Sequence, residues 1–177
     1  SSDLIQAAWK RRFEVRESRH ETCVINIQDP KDILFGVSDA ATGSQNDNHG
    51  KAAFYAYHPC RLGNLEPVEA QDDLLPQFGK PDMLSRVWNF TGKIAVGEME
   101  AIRGVVERAC DLPVPPKLII LATDNMNCKH WVEKGHSHRS DINQLLERIF
   151  SLLKEHKCRL YVTYVPTGDN VADSPTR

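Results

Sequence analysis

Three acidic residues stand where a sheet and a helix could bring their carboxylates together. Asp39 directly follows the short apolar run Ile33 to Ser38, and Asp124 follows the run Lys117 to Ala122 after Thr123. If the two runs are parallel neighbouring strands, about 4.8 Å apart, both carboxylates project from one sheet end into the crevice where such sheets bind ligands. Singly each has a plainer reading, because Asp at a strand end is a common turn former. Glu98 adds discrimination. It lies four residues before Ile102 and seven before Val105, so on a helix it shares their core-facing side, while Glu100 falls with Arg103 and Glu107 on the wet side. A carboxylate at the start of an apolar stripe is costly unless paired, capped or metal-bound; favourable placement near the positive end of a helix dipole is the alternative. Close carboxylates repel one another without a cation, so such a cluster suits a hard, oxygen-seeking ion such as Mg2+, with Mn2+ able to substitute.

The elements that must hold these acids are legible in the surrounding pattern. Ile33 to Ser38 reads as a strand, the Gly/Asn/Ser-rich stretch ending at Gly50 as a loop, and Ala52 to Tyr57 as the returning strand of an antiparallel hairpin. Residues Cys60 to Asp82, with Pro67, Pro76 and Pro81, read as an irregular insertion, and Leu84 to Phe90 as a third strand. Glu98 to Ala109 is helical by spacing. Lys117 to Ala122, set off by prolines, is the continuous apolar run of a buried parallel strand. Asn125 to Lys134 predicts a short helix capped by Gly135, and Ser140 an N-cap for a longer Leu-rich helix. Arg159 to Val165 then reads as a final strand. The order β-β-β-α-β-α-α-β predicts an α/β or α+β sheet with helix cover. Ahead of it, Leu4 to Arg16 carries a roughly helical apolar stripe beside a basic face, and Cys23 to Ile27 a short extended stretch, so residues 1–31 are expected to be a basic helix or linker.

Composition narrows the class. A chain of 177 residues, 41% hydrophobic and 26% charged, suits one globular domain with a real core and excludes disordered or collagen-like chains. No apolar run reaches membrane-spanning length and no signal-peptide pattern opens the chain, so an intracellular protein of cytoplasm or nucleus is expected. With 22 Lys and Arg against 24 Asp and Glu, any nucleic-acid contact must come from a local patch. The clearest is Lys129, Lys134, His136, His138 and Arg139, whose position beside Asp124 suits phosphate contact, although a solvated loop needs no such role. Cys128, His130, His136 and His138 superficially suggest zinc, but Cys128 and His130, two apart on a helix, point away from each other.

The segments Thr123-Asp124-Asn125 and K-G-H-S-H-R, the Leu-rich helix, and the ending Y-V-P-T-G-D-N-V-A-D-S-P-T-R together resemble the ribonuclease H domain of retrotransposons. The ending Asn170-Val171-Ala172-Asp173 followed by Arg177 is most similar to that of reverse-transcriptase-linked elements of the DIRS type, which carry a tyrosine recombinase. The resemblance covers about residues 32–177, which would form the catalytic domain. It implies an RNase H-like mixed five-stranded sheet, its first three strands antiparallel and the later ones parallel, with helices on both faces. It also implies that Asp39, Glu98, Asp124 and Asp173 are the catalytic and metal-binding acids. The implied reaction is two-metal hydrolysis of the RNA strand of an RNA:DNA hybrid, recognised through 2′-hydroxyls and phosphates, with a covalently linked reverse transcriptase as partner and no membrane. Many cellular members carry a histidine in the loop before the final helix, whereas Pro166 to Asp169 has none. A non-catalytic copy that grips the hybrid or braces a polymerase is the alternative, against which stands the retention of all four acids.

Overall fold

A computed structural model describes residues 12–27, 32–43, 46–57 and 84–166. In chain order the elements are β1 (Arg12–Arg16), β2 (Thr22–Asn26), β3 (Ile33–Gly43), β4 (Asn46–Tyr57), β5 (Leu84–Thr91), α1 (Ile94–Cys110), β6 (Leu118–Thr123), α2 (Met126–Lys134), α3 (Ser140–Glu155) and β7 (Arg159–Tyr164). Five strands form one sheet in the order β5-β4-β3-β6-β7. β3, β4 and β5 are mutually antiparallel, and β6 runs parallel to both β3 and β7. This is the expected mixed sheet.

The continuous apolar run of β6 is explained by burial on both faces. Ile119 and Leu121 pack with Met99, Ile102, Val105 and Val106 of α1, Cys128 and Val132 of α2, and Leu145, Leu146 and Ile149 of α3. Leu118 and Ile120 point the other way, into a cluster with Ile33, Phe35, Phe13, Val15 and Ile27. All three described helices therefore cover one face. On the second face, where helix cover was also expected, the described cover is the β1–β2 hairpin.

That hairpin corrects the reading of the N-terminal segment. Arg12–Arg16 is a strand paired antiparallel with Thr22–Asn26, and Phe13 and Val15 are buried while Arg12 and Glu14 are exposed. The period of two in R-F-E-V-R was masked by the longer stripe through Leu4, Ile5, Ala8 and Trp9. Leu4 to Arg11 lie outside the described residues. Phe13 meets Tyr161 of β7 edge to face, with ring centroids 5.0 Å apart, so the hairpin is joined to the sheet's own core.

Two further boundaries differ. β3 continues through Asp39 to Gly43 and β4 begins at Asn46, so most of the stretch read as a loop is ladder. Polar composition argues for a loop only where no partner strand supplies hydrogen bonds; β4 has one on each side over Gly50 to Ala56. At α3 the N-cap is Arg139, without a side-chain cap bond, and Ser140 is the first helical residue. The expected insertion from Cys60 to Asp82, and Asp173 with the chain's ending, lie outside the described residues.

Candidate active site

The parallel pairing of β3 with β6 sets Ser38 opposite Thr123, both fully buried. The next residue on each strand is an acid, so Asp39 and Asp124 emerge at the same level of the sheet. Beyond Thr123 the chain turns rather than pairs. Asn125 N-caps α2, its Oδ1 accepting from the Cys128 amide at 3.0 Å, and its own amide donates to Thr123 Oγ1 at 3.2 Å. These bonds fix the backbone on the far side of Asp124 as firmly as the ladder fixes the near side. α2 closes on Gly135 with φ of 80°, the left-handed cap the sequence indicated.

Glu98 arrives from the opposite side, in the second turn of α1. It is 5% exposed, Asp39 is 3% exposed, and Asp124 is partly buried. One carboxylate oxygen from each of Asp39, Glu98 and Asp124 lies within 4.8 Å of the others. Glu100, two residues on, turns away and accepts from Arg103 Nε at 2.9 Å and Nη2 at 2.7 Å. Its side chain is only 19% exposed, so the wet side of α1 is a partly buried ion-pair surface.

α1 can come so close because of glycine. A methyl group at Gly97 would overlap the ring of Phe90 on β5, and one at Gly104 would stand 2.6 Å from Trp88. Both glycines lie on the side of α1 that rests against β5, and Gly97 immediately precedes Glu98. No spacing in the sequence signals this requirement, since an isolated glycine in a helical pattern reads as tolerated.

The donor set is three carboxylates and offers oxygen alone. Oxygens sharing one Mg2+ at about 2.0–2.1 Å lie roughly 3–4 Å apart, so the trio needs to tighten only slightly around an ion, and the residues fit a hard divalent cation. Beneath it, burial pushes the Cys128 thiol well up from its usual range, with Glu98 and Asp124 adding to the effect. The thiol therefore stays neutral and contributes no further negative charge. Sequence reasoning took Cys128 only as a poor zinc candidate and missed its place under the acids. Among the described residues, Asp39, Glu98 and Asp124 are the group of His, Cys, Asp or Glu side chains able to hold a metal.

The basic patch is corrected in position. Lys134 ends α2 and His136, His138 and Arg139 follow it, so the nine residues of the helix, about 13 Å along the axis, lie between them and Asp124, while Lys129 is in the first turn. Two members also have internal partners: Lys129 pairs with Glu133 at 2.6 Å and Arg139 with Asp141 at 2.8 Å. Lys134, His136 and His138 are exposed.

No protein-family model matches the chain, and no curated protein matches its sequence. Solved structures do match. The N-terminal RNase H domain of Rv2228c from Mycobacterium tuberculosis, studied as a fusion with maltose-binding protein, aligns over 81% of this chain and 90% of that one with a TM-score of 0.56 at 13% identity. RNase H1 from the halophilic archaeon Halobacterium salinarum NRC-1 aligns over 81% and 94% with a TM-score of 0.54 at 15% identity. LC11-RNase H1, solved in complex with an RNA/DNA hybrid, aligns over 81% and 93% with a TM-score of 0.57 at 14% identity. Sequence identities this low speak to architecture alone, and the architecture is the RNase H-like fold.

Proposed function

We propose that this chain is a ribonuclease H that hydrolyses the RNA strand of RNA:DNA hybrids with divalent metal ions, and that it serves reverse transcription of a retroelement. The observation that carries the reading is the meeting of Asp39, Glu98 and Asp124 at one end of the parallel strands of an RNase H-like sheet. Three carboxylates gathered in a largely buried place repel one another when ionised, and a divalent cation at that place would relieve the repulsion. The structural likeness to RNase H1 solved with a hybrid supports the substrate class. The retroelement setting rests on the resemblance of the ending through Asp173 to Arg177.

Hydrolysis forms a bond from water to phosphorus and breaks the bond to the leaving oxygen. It needs a deprotonated water and relief of negative charge on that oxygen. Two divalent ions about 3.5–4 Å apart supply both when bound. Asp39, Glu98 and Asp124 would hold the ions, with Asp173 completing the set. Burial of Asp39 and Glu98 excludes water from their side of the site and leaves the partly exposed Asp124 facing the substrate. Lys129, in the first turn of α2, would meet substrate phosphates close to the acids, and Lys134, His136, His138 and Arg139 would meet them about a helix length from the cleaved bond, contacts that position the duplex without reading its sequence.

The test is a gel of labelled RNA:DNA hybrid, RNA duplex and DNA duplex, each incubated with the protein in Mg2+, Mn2+ or EDTA. Cutting of RNA in the hybrid, dependent on metal, is expected. Equal activity in EDTA refutes the metal mechanism, and binding without cutting establishes the non-catalytic alternative.

A further inference from the structure

The β1–β2 hairpin does more than cover the second face of the sheet. Its turn reaches past the β7 edge to the end of α2 and the start of the basic loop. Arg16 Nε donates to the carbonyl of Glu133 at 2.9 Å, satisfying one of the acceptors left over at the helix end. Arg19 Nη1 pairs with Glu147 of α3 at 3.0 Å, and Glu17 pairs with Arg159 of β7 at 2.7 Å. The turn itself is closed by the amides of Glu17 and Ser18 donating to the carbonyl of Glu21. Gly135 lies directly under it: a methyl group there would stand 2.8 Å from the Arg19 carbonyl oxygen. Glycine is thus required twice at this position, by its positive φ and by the contact.

The loop is held from its other side as well. The Ser137 amide donates to Asn143 Oδ1 at 2.7 Å, and Asn143 Nδ2 donates back to the Ser137 carbonyl at 3.0 Å. The segment carrying Lys134, His136, His138 and Arg139 is therefore clamped between the hairpin turn and the first turn of α3. An exposed basic loop has no need of such support for stability, whereas a loop that must present several cations at fixed spacing gains affinity by being ordered in advance.

We propose that the β1–β2 hairpin is a positioning element for nucleic-acid binding, with Arg16 and Arg19 fixing the Lys134–Arg139 loop against the substrate backbone. The inference rests on the proposed reading of the site and adds to it residues that do not touch the duplex. Neither arginine is a catalytic residue.

The experiment uses the full chain with Arg16→Ala, Arg19→Glu, and Arg19→Glu combined with Glu147→Arg. Single-turnover cleavage of a labelled RNA:DNA hybrid is measured against protein concentration at several salt concentrations. Both single variants should raise the half-saturating concentration about tenfold and lower the salt slope by about one, the loss of one phosphate contact, while the maximal rate stays within twofold. The Arg19→Glu, Glu147→Arg pair should recover most of the loss. A purely structural role would leave the salt slope unmoved, and that result, or an equal fall in maximal rate and affinity, overturns the proposal.

Hydrogen exchange on the free protein reads the clamp independently of substrate, and amides from Gly135 to Arg139 should exchange faster in both single variants. Unchanged exchange also overturns the proposal. If exchange responds but the parent protein binds no hybrid, the reading of function has failed, and the nucleic-acid role of the hairpin fails with it.

Discussion

Replacing Gly97 by alanine should damage catalysis without touching any carboxylate. The added methyl would overlap the ring of Phe90, which is itself buried at 6% exposure. The nearest ring carbon would be 2.2 Å away and carbon atoms rest about 3.5–4.0 Å apart, so the N-terminal part of α1 must retreat by about 1.5 Å, carrying Glu98 with it. Two stability effects oppose each other. Alanine in a helix gains up to about 1 kcal/mol over glycine, while overpacking a filled core costs about 1–3 kcal/mol. The expected net loss is about 1 kcal/mol, or roughly 2–4 °C in Tm for a domain of this size. The effect on rate should be far larger, because a misplacement of about 1 Å in a catalytic group can cost about a hundredfold. Single-turnover cleavage of an RNA:DNA hybrid in saturating Mg2+, beside thermal melts, separates the two effects. Adding Phe90→Ala should return part of the rate by reopening the space, a coupling that independent sites do not show. A Gly97→Ala protein that cuts at the parent rate would refute the claim that the closeness of α1 to β5 sets the position of Glu98.

The remaining predictions are simpler. Asp39→Asn, Asp124→Asn and Glu98→Gln should each lower the chemical step by orders of magnitude while the fold survives, and a near-normal single-turnover rate in any of them removes that residue from the site. Glu100→Gln should keep its turnover but lose up to about 1 kcal/mol through its partly buried bonds to Arg103, more than a fully exposed charge would cost, as read by urea unfolding. Mg2+ should raise the Tm of the parent and do so less in Asp124→Asn; an equal rise in both places the ion elsewhere. Burial pushes the thiols of Cys110 and Cys158 up to about 11 and about 12, so both titrate at lower pH in the unfolded chain. Their contribution is full below the unfolded value of about 8.5 and is lost as pH rises toward the folded ones. Stability by urea unfolding should therefore fall between pH 8 and pH 11, less steeply in Cys158→Ala, and an identical slope in the two would contradict the assignment.

How far the sequence foretold the site depended on whether a residue's signal was local. Asp39 and Asp124 were legible because each ends an apolar run, and parallel pairing of those runs was the one assumption needed. Glu98 was legible because the position of a carboxylate against Ile102 and Val105 is fixed by helical period alone. Gly97 was not, since its constraint is the ring of Phe90, a neighbour in space from another element. The strand at Arg12–Arg16 was lost to a competing period over a longer window. The strand content of the Ala40 to Gly50 stretch was lost because Asn, Asp and Gly favour turns until a partner strand outweighs them. The distance of Lys134, His136, His138 and Arg139 from Asp124 was not legible, because nearness in sequence hides the length of the helix between them.

The parallel register of β3 with β6 also bears on the order of folding. β4, β5 and α1 intervene between the two strands, so their pairing closes a long stretch of chain and belongs among the slow, non-local contacts of the domain. Asp124 joins Asp39 and Glu98 only when that closure is complete, so the full cluster belongs to the finished structure. A cation that gathers them therefore acts on the finished structure and hardly at all on the routes leading to it. The benefit of a bound metal would then fall on the rate of unfolding rather than on the rate of folding, giving the domain a longer native lifetime without making it quicker to form.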